Sequence, residues 1–128
     1  MNSPQILIIE DDPDNARSVA EAAEDAGFTT TVASAGAAGV EAFRQQVPDL
    51  VLCDLMMPDM TGMDVYEAIE ARQPSLCDRF VFVSGGGVTE RSRRFLERHA
   101  ERVLSKPIDS RRLCEVLESA VRERELVG

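Results

Sequence analysis

The chain is short of the residues that build metal–thiolate and imidazole centres. It has one histidine, His99, and three cysteines, Cys53, Cys77 and Cys114, widely spaced and without a C-x-x-C pair. An odd, scattered set excludes a disulfide framework and a zinc site, and the three cysteines read as small buried hydrophobes of a reducing compartment. A single histidine removes His-rich metal centres, and on a charged segment it reads as a surface residue. No apolar run approaches the ~20 residues needed to cross a membrane. The opening Met1-Asn2-Ser3-Pro4 lacks the charged start and apolar stretch of a signal peptide. These absences point to a cytosolic chain with no membrane partner. Positive charge is scarce too: 14 Lys and Arg against 23 Asp and Glu give a net charge of −9. That balance argues against nucleic acid as a partner.

What is present suits one globular domain over residues 1–128, with a core large enough to need no covalent staple. The hydrophobic fraction is 44% and the charged fraction 29%. The acid is unevenly placed. Residues 1–89 carry four cations and fifteen carboxylates, a net −11, whereas residues 90–128 carry ten and eight, a net +2.

Five short apolar runs alternate with longer amphipathic segments. The runs Gln5–Ile9, Thr29–Ala33, Leu50–Cys53, Phe80–Val83 and Val103–Leu104 predict strands, the first, third and fourth apolar enough to be covered on both faces. Helices are predicted over Pro13–Ala26, Ala35–Gln46, Met63–Arg72, Thr89–His99 and Asp109–Arg124. Their ends are marked by Gly27, Pro48 and Pro74, and by Asp109 in N-cap position. Single helical crossovers make the strands parallel, and right-handed crossovers place helices on both faces of an open α/β sheet.

Chemistry in such sheets gathers at the carboxyl ends of the strands. There the sequence places Glu10-Asp11-Asp12, Asp54, Ser84 and Ser105-Lys106-Pro107. The acidic triplet also fits a helix start favoured by the helix dipole. Asp54, directly behind a buried run, is costly to desolvate unless a cation meets it. Two unit charges ~5 Å apart at an effective dielectric of ~20 repel by about 3 kcal/mol, so Asp11 beside Asp54 calls for compensation. Lys106 supplies one positive charge. Oxygen-only donors point to Mg²⁺ rather than zinc for the rest.

With this arrangement the chain resembles the receiver domain of bacterial two-component response regulators, a phosphoacceptor similar to the chemotaxis response regulator. The matching pieces are Ile6–Asp12, Pro48–Pro58, Gly62-Met63-Asp64, Val83-Ser84 and Lys106-Pro107, in order and at the family's spacing. The resemblance implies a flavodoxin-like (βα)5 fold with five parallel strands in the order 2-1-3-4-5. It implies that Asp54 accepts a phosphoryl group from the phosphohistidine of a histidine kinase or histidine phosphotransfer protein. Ser84 and Lys106 would bind phosphoryl oxygens. Glu10, Asp11, Asp54 and the Met56 carbonyl would hold Mg²⁺, and Lys106-Pro107 would be cis. Such a chain is no conventional enzyme; it catalyses its own phosphorylation and slow dephosphorylation.

Several positions depart from the family pattern. Val103 stands where many members carry Tyr or Phe, so a ring-swing switch is not available. Met56 and Gly86, the positions expected beside the attacking water, offer it no side-chain hydrogen bond, which implies a long-lived acyl phosphate. Gly85-Gly86-Gly87 makes the following loop unusually free. Arg91, Arg93, Arg94, Arg98, Arg102, Arg111 and Arg112 form either a solvated face mixed with glutamates or a docking face over 89–124, for a downstream protein or a second copy.

Other readings fare worse. A phosphatase of the haloacid dehalogenase class needs an acid at position 56, and a dinucleotide-binding module needs a glycine-rich turn after the first strand. The remaining alternatives are a receiver taken from a hybrid histidine kinase or multidomain regulator, and a docking module independent of phosphorylation.

Overall fold

The computed structural model describes residues 3–85 and 89–127, the side chains of 76, 77, 101, 121 and 123–127 apart. The strands are β1 (Gln5–Ile9), β2 (Thr29–Ala33), β3 (Leu50–Asp54), β4 (Phe80–Ser84) and β5 (Val103–Ser105). The helices are α1 (Pro13–Asp25), α2 (Gly36–Gln45), α3 (Gly62–Arg72), α4 (Glu90–Arg98) and α5 (Ser110–Val127). All strand pairs are parallel and their order is β2-β1-β3-β4-β5, the doubly wound sheet the sequence predicts. The bounds differ in detail. β3, β4 and β5 each run one residue past their predicted stretch, taking in Asp54, Ser84 and Ser105. Most helix ends shift by one to three residues, and short 3₁₀ turns at Pro74–Arg79 and Ala100–Arg102 precede β4 and β5.

Strand alternation divides the core between the two faces of the sheet. Leu7, Ile9, Val51, Cys53, Phe80 and Phe82 pack with Phe43, Tyr66, Ile69 and Phe95 of α2, α3 and α4. Ile6, Ile8, Leu50, Leu52, Val81 and Val83 pack with Val19, Ala23, Leu113 and Leu117 of α1 and α5. α1 stops where Gly27 turns to φ +100°, a left-handed conformation that glycine adopts without strain.

Cys53 is buried as expected, but Cys114 is exposed. On α5 the buried stripe runs through Leu113 and Leu117, and one residue further on turns the thiol about 100° away from it. The Cys77 side chain lies outside the described residues. His99 also departs from expectation. It forms the C-cap of α4 and lies half-buried among rings, with centroids 4.4 Å from Phe95, 5.0 Å from Tyr66 and 5.6 Å from Phe82. No helix among the described residues is long and apolar enough to cross a membrane.

Candidate functional site

Parallel strands end at one rim, and their register decides which residues meet there. Ile9 is level with Cys53, Asp54 with Val83, and Ser84 with Ser105. Glu10 therefore stands one step past β1, Asp54 closes β3, Ser84 closes β4, and Lys106 stands one step past β5. Lys106, the only lysine of the chain, places Nζ 2.7 Å from Asp54 Oδ2 and 3.2 Å from Glu10 Oε1. Its backbone N–H donates to the Ser84 carbonyl at 2.8 Å, and the Lys106–Pro107 bond is cis.

Asp54 and Glu10 are 3% and 4% exposed, so both carboxyls lie out of bulk water. Burial, together with Asp54 alongside, pushes Glu10 up from 4.5 to about 7, with Lys106 opposing the shift. Burial works against the Lys106 charge, yet the hydrogen bond and charge of Asp54, followed by those of Glu10, hold the ammonium above its ordinary value. The other Asp54 oxygen, Oδ1, accepts the Met56 N–H at 3.2 Å. The adjoining Cys53 thiol is pushed up by burial, with both carboxylates adding to the shift, which keeps it an inert core group.

Asp11 is exposed, but one carboxylate oxygen from each of Glu10, Asp11 and Asp54 lies within 4.8 Å of the others. A donor set of oxygens alone fits a hard cation that prefers an octahedral shell, as Mg²⁺ does. Asp12 does not join this group. Its side chain caps α1, accepting from the Asp14 and Asn15 amides at 2.9 and 3.4 Å, which is the helix-start role for that residue. Met56 is exposed at the rim. Gly86 and Gly87 lie outside the described residues.

The rim is shaped by one close backbone approach. A Cβ on Gly62 would come 2.7 Å from the Asp54 carbonyl oxygen and 2.9 Å from Leu55 Cα, so only glycine lets α3 start there. A groove of about 450 Å³ between α1 and α5, lined in part by Asn15, Ser18, Lys106, Pro107 and Ile108, opens beside the lysine. A larger cleft, about 620 Å³, lies at the opposite end of the sheet around Asp49, Phe80 and Arg112, away from this chemistry.

Three features escape sequence reading because their partners are remote in the chain. Asp59 accepts the Gly36 and Ala37 amides at 3.0 Å each; these bonds, Ala37 first, hold its carboxyl below the usual range. Arg91 of α4 reaches Asp64 of α3 at 2.9 Å and Glu67 at 3.3 Å. Tyr66 centres the ring cluster with Phe80, Phe82, Phe95 and His99. Many of the arginines after residue 89 are engaged within the chain: Arg93 with Glu90 and Glu97, Arg94 with Glu90, Arg102 with Asp78, and Arg112 with Glu115. That pairing favours a solvated, internally neutralised face over a bare cationic one.

Residues 6–118 match the family model described as "Response regulator receiver domain". Among curated proteins, the chain is 33% identical to the sensor protein GacS of Pseudomonas syringae over 120 residues, which are 90% of this chain and 13% of that protein. It is 29% identical to the regulatory protein LuxO of Vibrio vulnificus over 97 residues, 76% of this chain and 21% of that protein. The chain thus spans only a small part of these relatives. A receiver domain protein of Methanospirillum hungatei superposes with a TM-score of 0.85 at 23% identity, covering 99% of this chain and all of that one. One from Clostridium thermocellum gives 0.82 at 23%, covering 98% and 99%.

Proposed function

The chain belongs to the response regulator receiver domain family of two-component systems, and from that premise we propose that Asp54 is its phosphoacceptor. The reading rests above all on the Lys106 ammonium 2.7 Å from the buried Asp54 carboxylate, with Glu10 and Asp11 grouped around it. In the proposed reaction an Asp54 oxygen bonds to phosphorus as the P–N bond of a partner's phosphohistidine breaks. The donor ring reacts with a proton on its other nitrogen, so the departing imidazole keeps the electron pair of the broken bond and leaves as the neutral ring.

The loose transition state of phosphoryl transfer asks the protein mainly to position groups and neutralise oxygens. Lys106 holds the Asp54 carboxylate in place and then pairs with a phosphoryl oxygen. Ser84, at the end of the neighbouring strand, offers its hydroxyl to another. Glu10, Asp11, Asp54 and the Met56 carbonyl are the groups that would hold Mg²⁺, which when bound supplies positive charge to the same oxygens. The groove between α1 and α5 beside Lys106 suits the approach of a histidine kinase or histidine phosphotransfer protein in the cytoplasm. The output face proposed is the mixed-charge surface over 89–124, whose arginines are largely paired within the chain, toward a downstream protein or a second copy.

A second reading concerns context. The GacS similarity covers 90% of this chain but 13% of that sensor protein, which supports a receiver that works within a longer protein such as a hybrid histidine kinase. The chemistry assigned to Asp54 is the same in either setting.

The test is incubation with Mg²⁺ and phosphoramidate, followed by intact mass. The native chain is expected to gain one phosphoryl mass and Asp54→Asn none; no gain in the native chain would overturn the reading.

A further inference from the structure

The loop that leaves the phosphoacceptor is anchored by a helix it does not belong to. α2 starts at Gly36 with Ala35 in the N-cap position, in extended conformation (φ −153°, ψ 157°). Ala35 offers no cap hydrogen bond, and the first turn contains no acid. A helix end of this kind leaves amides without acceptors and a positive dipole end without a partner. Asp59 fills both needs from a distant part of the chain, Oδ1 taking the Gly36 N–H and Oδ2 the Ala37 N–H. The next residue is used at the same place. Met60 packs over Gly36 so closely that a Cβ there would collide with Met60 Cγ.

Residues 55–61 run from the end of β3 to α3. At one end the Leu55 N–H donates to the Val83 carbonyl, and at the other the Gly62 N–H returns to the Leu55 carbonyl at 2.7 Å. Between these ends, Met56 donates its N–H to Asp54 Oδ1, and its carbonyl is the main-chain group assigned to the cation. The outer part of the loop is tied to the body of the domain by the two Asp59 bonds.

We propose that Asp59 is a positioning residue for the cation pocket: by clasping the first turn of α2 it fixes the 55–61 loop, and with it the direction of the Met56 main chain. The inference rests on the assignment of Met56 and Asp54 as cation ligands. Two bonds to two successive amides set the orientation of the carboxylate as well as its distance, which one bond would not.

A bare helix-capping role can be separated from this one by moving the carboxylate. Ala35→Asp places an N-cap acid on α2 itself, so Ala35→Asp/Asp59→Ala keeps the helix capped and the charge conserved while the loop is untied. The measurement is Mg²⁺ affinity from amide chemical shifts, with no phosphoryl donor present, alongside the thermal midpoint. Asp59→Ala is expected to weaken Mg²⁺ binding about tenfold, the effect typical of a lost outer-sphere support, and to lower the midpoint. The double variant is expected to regain the midpoint but keep the weak affinity. Asp59→Asn, which retains one acceptor oxygen, falls between, and Ala35→Asp alone binds as the native chain does.

If the double variant regains both properties, or Asp59→Ala leaves affinity untouched, Asp59 is a helix cap and nothing more. Native chain that takes up phosphoryl groups while Asp59→Ala binds Mg²⁺ normally would overturn this inference alone. Native chain that neither binds Mg²⁺ nor is phosphorylated would overturn the functional reading along with it.

Discussion

The Lys106 ammonium bridges Asp54 at 2.7 Å and Glu10 at 3.2 Å, so a single cation serves two buried carboxyls, one closing β3 and the other one step past β1. Like charges held this close at low dielectric repel strongly, and the ammonium offsets that repulsion.

Replacing Lys106 by Met is expected to slow phosphoramidate labelling of Asp54 by about 10²-fold or more, the usual loss when one charge-stabilising donor is removed. Lys106→Arg should recover only part of the rate, since its planar fork does not reproduce a compact ammonium. Rates come from intact mass over time, and a Met variant that labels at the native rate would contradict the role.

Glu10 gives a pH dependence with a definite sign. In the folded chain burial, with Asp54 adding, pushes it to about 7 against 4.5 unperturbed, so the folded state keeps a proton that the unfolded chain has released. Stability therefore falls as pH rises from 4.5 to about 7. In metal-free buffer the urea midpoint of Glu10→Gln should gain on that of the native chain through this window. Parallel curves would show that Glu10 ionises normally.

His99 works in the opposite direction. Burial among the rings, followed by Arg102 and Arg98, holds it below 6.5 against the pull of Glu70, so the folded state refuses a proton that the unfolded chain accepts. The contribution is present above 6.5 and is lost as pH falls below it. His99→Gln should flatten the acid side of a thermal-midpoint profile; an unchanged slope would place the loss elsewhere.

Met56 stands exposed at the rim and has no group to orient water. Met56→Asn is expected to shorten the lifetime of the phosphorylated chain, followed as loss of the phosphoryl mass after the donor is removed. An equal or longer lifetime would show that this position does not govern hydrolysis.

Gly62 is a steric requirement. Its added Cβ would meet the Asp54 carbonyl oxygen and Leu55 Cα, both main-chain atoms with little room to yield. Gly62→Ala should destabilise the fold by about 1–3 kcal/mol in urea unfolding, as overpacking commonly does.

The sheet was readable because its signals are local. Each strand is a short apolar run, and Gly27, Pro48 and Pro74 mark helix ends. Glu10, Asp54 and Lys106 could be assigned because parallel strands bring residues at like positions to one rim. Asp12 could not be separated from the cation group by sequence, since capping and ligation draw on the same carboxylate. The half-buried place of His99 is not legible locally, because α4 is charged around most of its surface and two of the three rings beside it, Tyr66 and Phe82, come from α3 and β4. Asp59 has no local signature at all, its partners lying 23 and 22 residues earlier.

The ring cluster of Tyr66 has a practical consequence. The chain has one tyrosine and no tryptophan, and that tyrosine lies within 5.0–5.6 Å of four rings from β4 and the α4 region. Its near-ultraviolet emission therefore comes from a single place, the junction where α4 meets α3 and the sheet. The protein carries its own optical gauge of α4, so displacement of that helix can be followed in unlabelled, native material.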